Sequence, residues 1–134
     1  MPVSIRRSAP RFACAAFASL LLAAPALASP PAGAWHGKLD KYASKLHFSV
    51  KGSRVLRFTV PSAPAYCLTG FSAISVVVPT AAIHGSKLAG TTKVNYDGES
   101  ETIALSGHFS GRTAKGSVKL QGPCDGTFSW TAHR

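Results

Sequence analysis

A two-residue rhythm limits this chain more than any other feature. After residue 30 no stretch carries apolar residues at helical spacing for three turns, whereas apolar and polar residues alternate in segment after segment, each bounded by Gly, Pro, Asn or Asp. Such alternation sends successive side chains to opposite faces of a pleated strand, one set toward a core and the other toward water. The chain therefore predicts an all-β fold, and its register can be sought hairpin by hairpin, because facing strands must bury the same face.

In "SKLHFSVKGSRVLRFTV" the apolar sets are Leu46, Phe48, Val50 and Leu56, Phe58, Val60. Matching them pairs residue 50 with 56, 48 with 58 and 46 with 60 around a three-residue loop, Gly52-Ser53-Arg54; a two-residue turn would set Phe48 against Arg57. A loop at 97–100, "DGES", sets Val94 against Ile103 and Thr92 against Leu105. The next hairpin pairs Phe109 with Ala114, Leu105 with Val118 and Ile103 with Leu120, which places Gly107 opposite Gly116 on the inner face. Two facing glycines leave a dent that a large side chain can fill. The closing stretch "GPCDGTFSWTAHR" offers one: pairing Leu120 with Phe128 and Val118 with Trp130 sets the indole diagonal to Gly116, with Cys124 at the loop tip. Phe128 and Trp130 then belong to the core, and Ser129, Thr131 and His133 face outward. Between these hairpins, residues 70–78 read as a buried strand, 81–84 as a short one, and Pro61, Pro64 and Pro79 as breaks. The expected architecture is a single antiparallel meander of eight or nine strands curled over one apolar face, as a flattened barrel or a β-sandwich, with "WHGKLD" and "TFSWTAHR" meeting or closing the edge.

The first 28 residues read differently. Arg6, Arg7 and Arg11 precede an almost wholly apolar run at 12–24, and Ala26-Leu27-Ala28 supplies a small-x-small cleavage pattern, so residues 1–28 are expected to be a secretory signal peptide. An uncleaved anchor is the competing reading, but the run is shorter than the roughly 20 residues of a spanning helix and Pro25 interrupts its end. The Arg6-Arg7 doublet also suits the twin-arginine route, although "RRSAPRF" has Pro where an apolar pair is expected. Residues 29–34, "SPPAGA", read as a flexible lead-in and 35–134 as one domain, too short for a second core. The leader removes Cys14 and three of the 15 Lys and Arg, which leaves 12 against five acids, a formal charge of +7. Cys67 and Cys124 remain, and two cysteines in an exported chain predict one disulfide; a free pair or half a metal site is the alternative. Secretion and retention in the periplasm or envelope both fit.

Trp35 and Gly37, Cys67, Gly107 and Phe109, Gly116 and Val118, then Cys124, Gly126, Trp130 and Ala132 form the order W-x-G, C, G-x-F, G-x-V, C-x-G-x-x-x-W-x-A. In this order the chain resembles a group of small exported bacterial all-β domains whose role is uncharacterised. The resemblance covers nearly all of the chain after the leader and implies fold and export, with no catalytic residues attached. "GAWHG" at 33–37 adds a fainter likeness to avidin-like and lipocalin-like barrels, which also open on a Gly/Trp strand.

Motifs for chemistry are thin. "GFSAI" lacks the second glycine of a nucleophile elbow, and "GRTAKGS" does not fit a phosphate-binding loop. Of the acids Asp40, Asp97, Glu99, Glu101 and Asp125, four crowd hairpin loops, where Asp-Gly pairs are ordinary turn chemistry and charges are solvated. His36, His47, His84, His108 and His133 form no H-x-H or H-x-x-x-H set. The expectation is a non-enzymatic domain without metal or cofactor. A charge pattern remains: Lys45, His47 and Lys51 alternate with the buried set on one strand, Arg57 joins Val55 and Thr59 on the same outer face of its partner, and Lys115 and Lys119 do likewise on a later strand. Lysine on sheet faces often serves only solubility. The sharper reading makes these six a binding face for an anionic glycan, lipid headgroups or an acidic protein surface. Nucleic acid fits poorly, since export separates the chain from it and no exposed aromatic ladder is evident. Two alternatives are an inhibitor or interaction protein that presents the disulfide-braced loop "PSAPAYC", and a small-ligand barrel or an enzyme without a recognised motif, with a cavity at Trp130 and the Gly107/Gly116 dent.

Overall fold

The computed structural model describes residues 29–134; the expected leader lies outside the described residues. Eight strands follow one another: β1 (Gly33–Leu39), β2 (Lys45–Lys51), β3 (Arg54–Cys67), β4 (Gly70–His84), β5 (Lys87–Tyr96), β6 (Glu99–Ser110), β7 (Thr113–Gln121) and β8 (Cys124–His133). Each pairs antiparallel with the next, and β8 returns to β1, so a single sheet closes into a ring, though not a regular barrel. The all-β meander and the meeting of first and last strands are as the alternation predicts. No helix among the described residues is long and apolar enough to cross a membrane. Strand β1 starts at Gly33, inside the expected lead-in, where Trp35 Nε1 donates to the Pro31 carbonyl at 2.9 Å.

Strands β6 and β7 pair as expected, Phe109 with Ala114, Gly107 with Gly116, Leu105 with Val118 and Ile103 with Leu120. Two hairpins depart from the expected register throughout, and the β2/β3 hairpin departs on the turn side of His47 and Thr59. In the last hairpin Val118 faces Phe128, Leu120 faces Gly126, and Trp130 stands directly opposite Gly116, a shift of two residues along the strand that keeps every face and brings Cys124 into β8. Between β5 and β6 the turn is Asp97-Gly98 alone, both residues at positive φ (51° and 84°), so Thr92 meets Ile103 and Val94 meets Glu101. Asp-Gly suits the twisted two-residue turn that such dihedrals describe.

Between β2 and β3 the turn is Gly52-Ser53, with Lys51 opposite Arg54 and Val50 opposite Val55. The conflict between Phe48 and Arg57 is resolved by a bulge, not by a longer loop: pairing jumps from Ser49 with Leu56 to His47 with Thr59, and Arg57 adopts φ 51°. Val55 is thereby turned into the core while Leu56 is only half-buried, the reverse of the expected faces.

The prolines do not break strands. Register slips again between Val60 and Ala63, accommodating Pro61, and β3 has no second partner from Val60 to Ala65, so the missing N–H of Pro61 and Pro64 interrupts no ladder on that side. Pro79 lies opposite the Arg57 bulge, on a strand that meets β5 only at Ala82–His84. Residues 70–84 are accordingly one strand, of which Val76, Val78, Ala81 and Ile83 are buried.

Side chains fill the interior. Phe48 is the hub of an aromatic cluster, with ring centroids 5.7 Å from Trp35, 5.6 Å from Phe58 and 6.0 Å from Trp130. Trp130 occupies the glycine dent: a Cβ on Gly107 would lie 2.8 Å from its Cζ2. The expected disulfide joins Cys67 to Cys124, which are also cross-strand partners where β3 passes the short β1/β2 hairpin and reaches β8. One acid departs from its expected place in solvent. Glu101 is buried, with Oε2 accepting from the Cys124 N–H at 3.0 Å and Oε1 without a hydrogen-bond partner. Its parity with Ile103 and Leu105 is the signal that points it inward.

Candidate anion-binding surface

Closure of the sheet sets outward side chains of successive strands into lateral rows. One row, crossing seven strands, collects four lysines and two histidines together with Thr131. His84 faces Lys87, Lys87 faces His108, His108 faces Lys115, Lys115 faces Thr131, Thr131 faces Lys38 and Lys38 faces Lys45. All are exposed except the half-buried Thr131. Neighbouring strands lie roughly 4.8 Å apart, so the row sets lysines and histidines side by side on either flank of the neutral Thr131. Like charges directly across a strand pair repel and weaken a sheet, so the facing of Lys38 and Lys45 has no benefit to folding.

Of the six residues expected to form the face, Lys45 and Lys115 belong to this row, linked through Lys38 and Thr131. His47 lies in the adjacent row, opposite His36, which in turn faces His133; the His133 Nδ1 sits 3.4 Å from Thr113 Oγ1. No group of three His, Cys, Asp or Glu among the described residues is placed to hold a metal ion. Lys51 stands at one rim of the ring beside Arg54. Arg57 is displaced onto the β3 bulge, and Lys119 faces Ala104 and Thr127 further along β7, so the structure does not gather these three with the row. Lys38, Lys87, His84 and His108 are members that strand-by-strand reading misses, because lateral alignment depends on register and on the β8/β1 closure.

Charge is also sorted end to end. The rim that carries the β2/β3, β4/β5 and β6/β7 turns and the C-terminus presents Lys51, Arg54, His84, Lys87, Arg112 and Arg134. All five acids lie toward the other end, Asp40 after β1, Asp97 in the β5/β6 turn, Glu99 and Glu101 at the start of β6 and Asp125 at the start of β8. Asp40 alone of them reaches the row, accepting from Thr131 Oγ1 at 2.7 Å. Two shallow depressions border the row, one among His108, Ser110, Thr113 and Lys115, the other among His36, Lys38, Lys45, Thr131 and His133. Ammonium groups around hydroxyls in shallow concavities suit carboxylates, sulfates or phosphates.

A second surface stands apart. At the tip of the β3/β4 hairpin, clamped by the disulfide, Tyr66, Leu68 and Phe71 are 70%, 76% and 63% exposed, and the two rings meet edge to face at 5.2 Å. Tyr66 also faces Asp125 across the strand pair. Compared with known protein families, curated proteins and solved structures, the chain matches none.

Proposed function

We propose that the chain is an exported, non-enzymatic binding domain whose cationic outer face holds an anionic partner in the envelope or outside the cell. The observation that carries this reading is the lateral row from His84 to Lys45, which gathers Lys87, Lys115, Lys38 and Lys45 and in which Lys38 and Lys45 face one another without benefit to the sheet. A solubility role needs only dispersed lysines, whereas alignment concentrates the field. Export rests on the leader pattern at residues 1–28 and fits a disulfide that oxidising compartments preserve. Because the charges are exposed, binding should be screened by salt. The protein is expected to be retained on an immobilised polyanion at low ionic strength and released by roughly 0.5–1 M salt, where the Debye length shrinks to a few ångströms. Salt-insensitive retention, or passage without delay, would remove the proposal.

A second reading is supported by the hairpin tip. Three large apolar side chains exposed in one disulfide-braced cluster suit insertion into a protein cleft, in the manner of an inhibitor. The presenting element is then the turn at Leu68-Thr69, not the upstream "PSAPAYC", which is strand. Inhibition of a secreted hydrolase lost in Leu68→Ser, with the polyanion retention unchanged, would establish this role; equal inhibition by wild type and variant would dismiss it.

A further inference from the structure

The curvature of the cationic row points to the shape of its ligand. We infer that the row receives a linear acidic polysaccharide, a polyuronate-like chain, laid across the strands and following the wall of the ring; this rests on the binding role proposed above. The row runs from β4 through β5, β6, β7, β8 and β1 to β2, seven of the eight strands of a closed sheet. Such a line bends most of the way round a convex wall. A flat bilayer touches only a few neighbouring strands of a small barrel at once, and a rigid acidic protein surface does little better, so either would leave most of the cations idle. A flexible polymer can follow the bend and engage them together, and each further contact is then made at the high effective concentration that the first one sets.

The spacing fits the same ligand. Lys87 and Lys115 are two strands apart, as are Lys115 and Lys38, so the lysines recur at roughly 10 Å, with His108 and Thr131 between them. Alternate sugars of an extended glycan are separated by a similar distance; the lysine figure is the backbone spacing and hence a lower bound for ammonium groups that fan outward from a convex wall. Lys45 adds a cation one strand beyond Lys38, while Thr131, in the middle of the run, donates its hydroxyl to Asp40. From Lys87 to Lys45 the path crosses five strand spacings, roughly 24 Å along the backbone, which sets the least ligand length that spans the site.

The test compares oligogalacturonates of increasing length with neutral dextran and with phosphatidylglycerol vesicles. Affinity for the uronates is expected to climb with length until the chain spans the row and then to flatten, with dextran unbound and vesicles held more weakly. Replacing Lys38, Lys87 and Lys115 with Ser together should weaken the longest oligomer by roughly tenfold or more, whereas the same replacement of Lys41, Lys93 and Lys119, all exposed and outside the row, should weaken it far less. Both triple variants lose the same charge, and circular dichroism confirms that each keeps its β signal. Equal losses in the two variants, affinity independent of length, or vesicles bound as tightly as uronate would overturn the inference. If vesicles or an acidic protein bind while uronates do not, this inference fails and the anion-binding role survives; if no polyanion binds, both fall.

Discussion

Replacing Cys67 and Cys124 with Ala is expected to lower stability by roughly 4 kcal/mol, because the bond closes a segment of 57 residues and the freed chain regains the corresponding loop entropy. For a domain of this size that corresponds to a fall in melting temperature of roughly 15–30 °C, a large share of what such a domain holds in reserve. The loss should also be uneven. Beyond the core contact of Phe58 with Trp130, β3 and β8 pair only at Tyr66–Asp125 and Cys67–Cys124, and β3 from Val60 to Ala65 pairs with β4 alone. Without the bond the outer half of the β3/β4 hairpin is held mainly by its own ladder, so amide exchange at residues 61–75 should accelerate before exchange at the β6/β7 pairs does. Chemical denaturation of the double variant checks the first part and hydrogen exchange the second. A loss under about 1 kcal/mol would mean that the unfolded chain is already compact enough for the link to restrict little.

Faces were easier to read than partners, for a physical reason. Side-chain direction follows from position parity alone, so Leu46, Phe48, Val50, Ile103, Leu105, Phe109, Phe128 and Trp130 could be placed inside from the alternation, and they are buried. Register is underdetermined by parity, because moving a strand by two residues keeps every side chain on its face. That is the shift separating the expected last hairpin from the observed one. Where turn chemistry was strong it decided the matter: Asp97-Gly98 made the tight turn against a pattern match that favoured Val94 opposite Ile103. At Arg57 a single extra residue was absorbed by a bulge, and the parity of Val55 and Leu56 changed with it. Bulges are local compromises between pairing and burial, and an Arg at positive φ gives no sequence sign of one.

The candidate surface inherits the same division. Outward lysines on β2 and β7 could be named from alternation, but which cations stand beside one another is a property of register summed over six interfaces. A slip of two between β7 and β8 would move Lys115 away from Thr131, and one between β1 and β2 would move Lys38 away from Lys45. Sorting of the acids to one end was open to reading once strand directions were assigned, since each of the five falls near the same set of turns.

The second large effect is expected at Trp130, where Trp130→Ala should cost about 3–5 kcal/mol, the range for deleting a fully buried aromatic. The indole is completely buried, lies 5.2 Å from Phe58 between ring centroids, and touches the space above Gly107 that no other side chain fills. The wall behind it offers no side chain to fill the gap, because Gly107 and Gly116 face one another there and admit no Cβ: one on Gly116 would sit 1.9 Å from the Ser106 carbonyl oxygen. Trp130→Phe separates volume from polarity. It leaves a smaller void and also removes Nε1, a buried donor with no acceptor, whose desolvation costs about 1–3 kcal/mol in the native protein. The two effects oppose, so Trp130→Phe should cost at most about 2 kcal/mol, well below what the lost ring alone would suggest. Denaturation curves for both variants provide the check. If Trp130→Phe proved as damaging as Trp130→Ala, both having lost the orphan N–H, the glycine dent would demand the indole shape itself; if neither cost more than about 1 kcal/mol, the sheet would have to collapse over the gap.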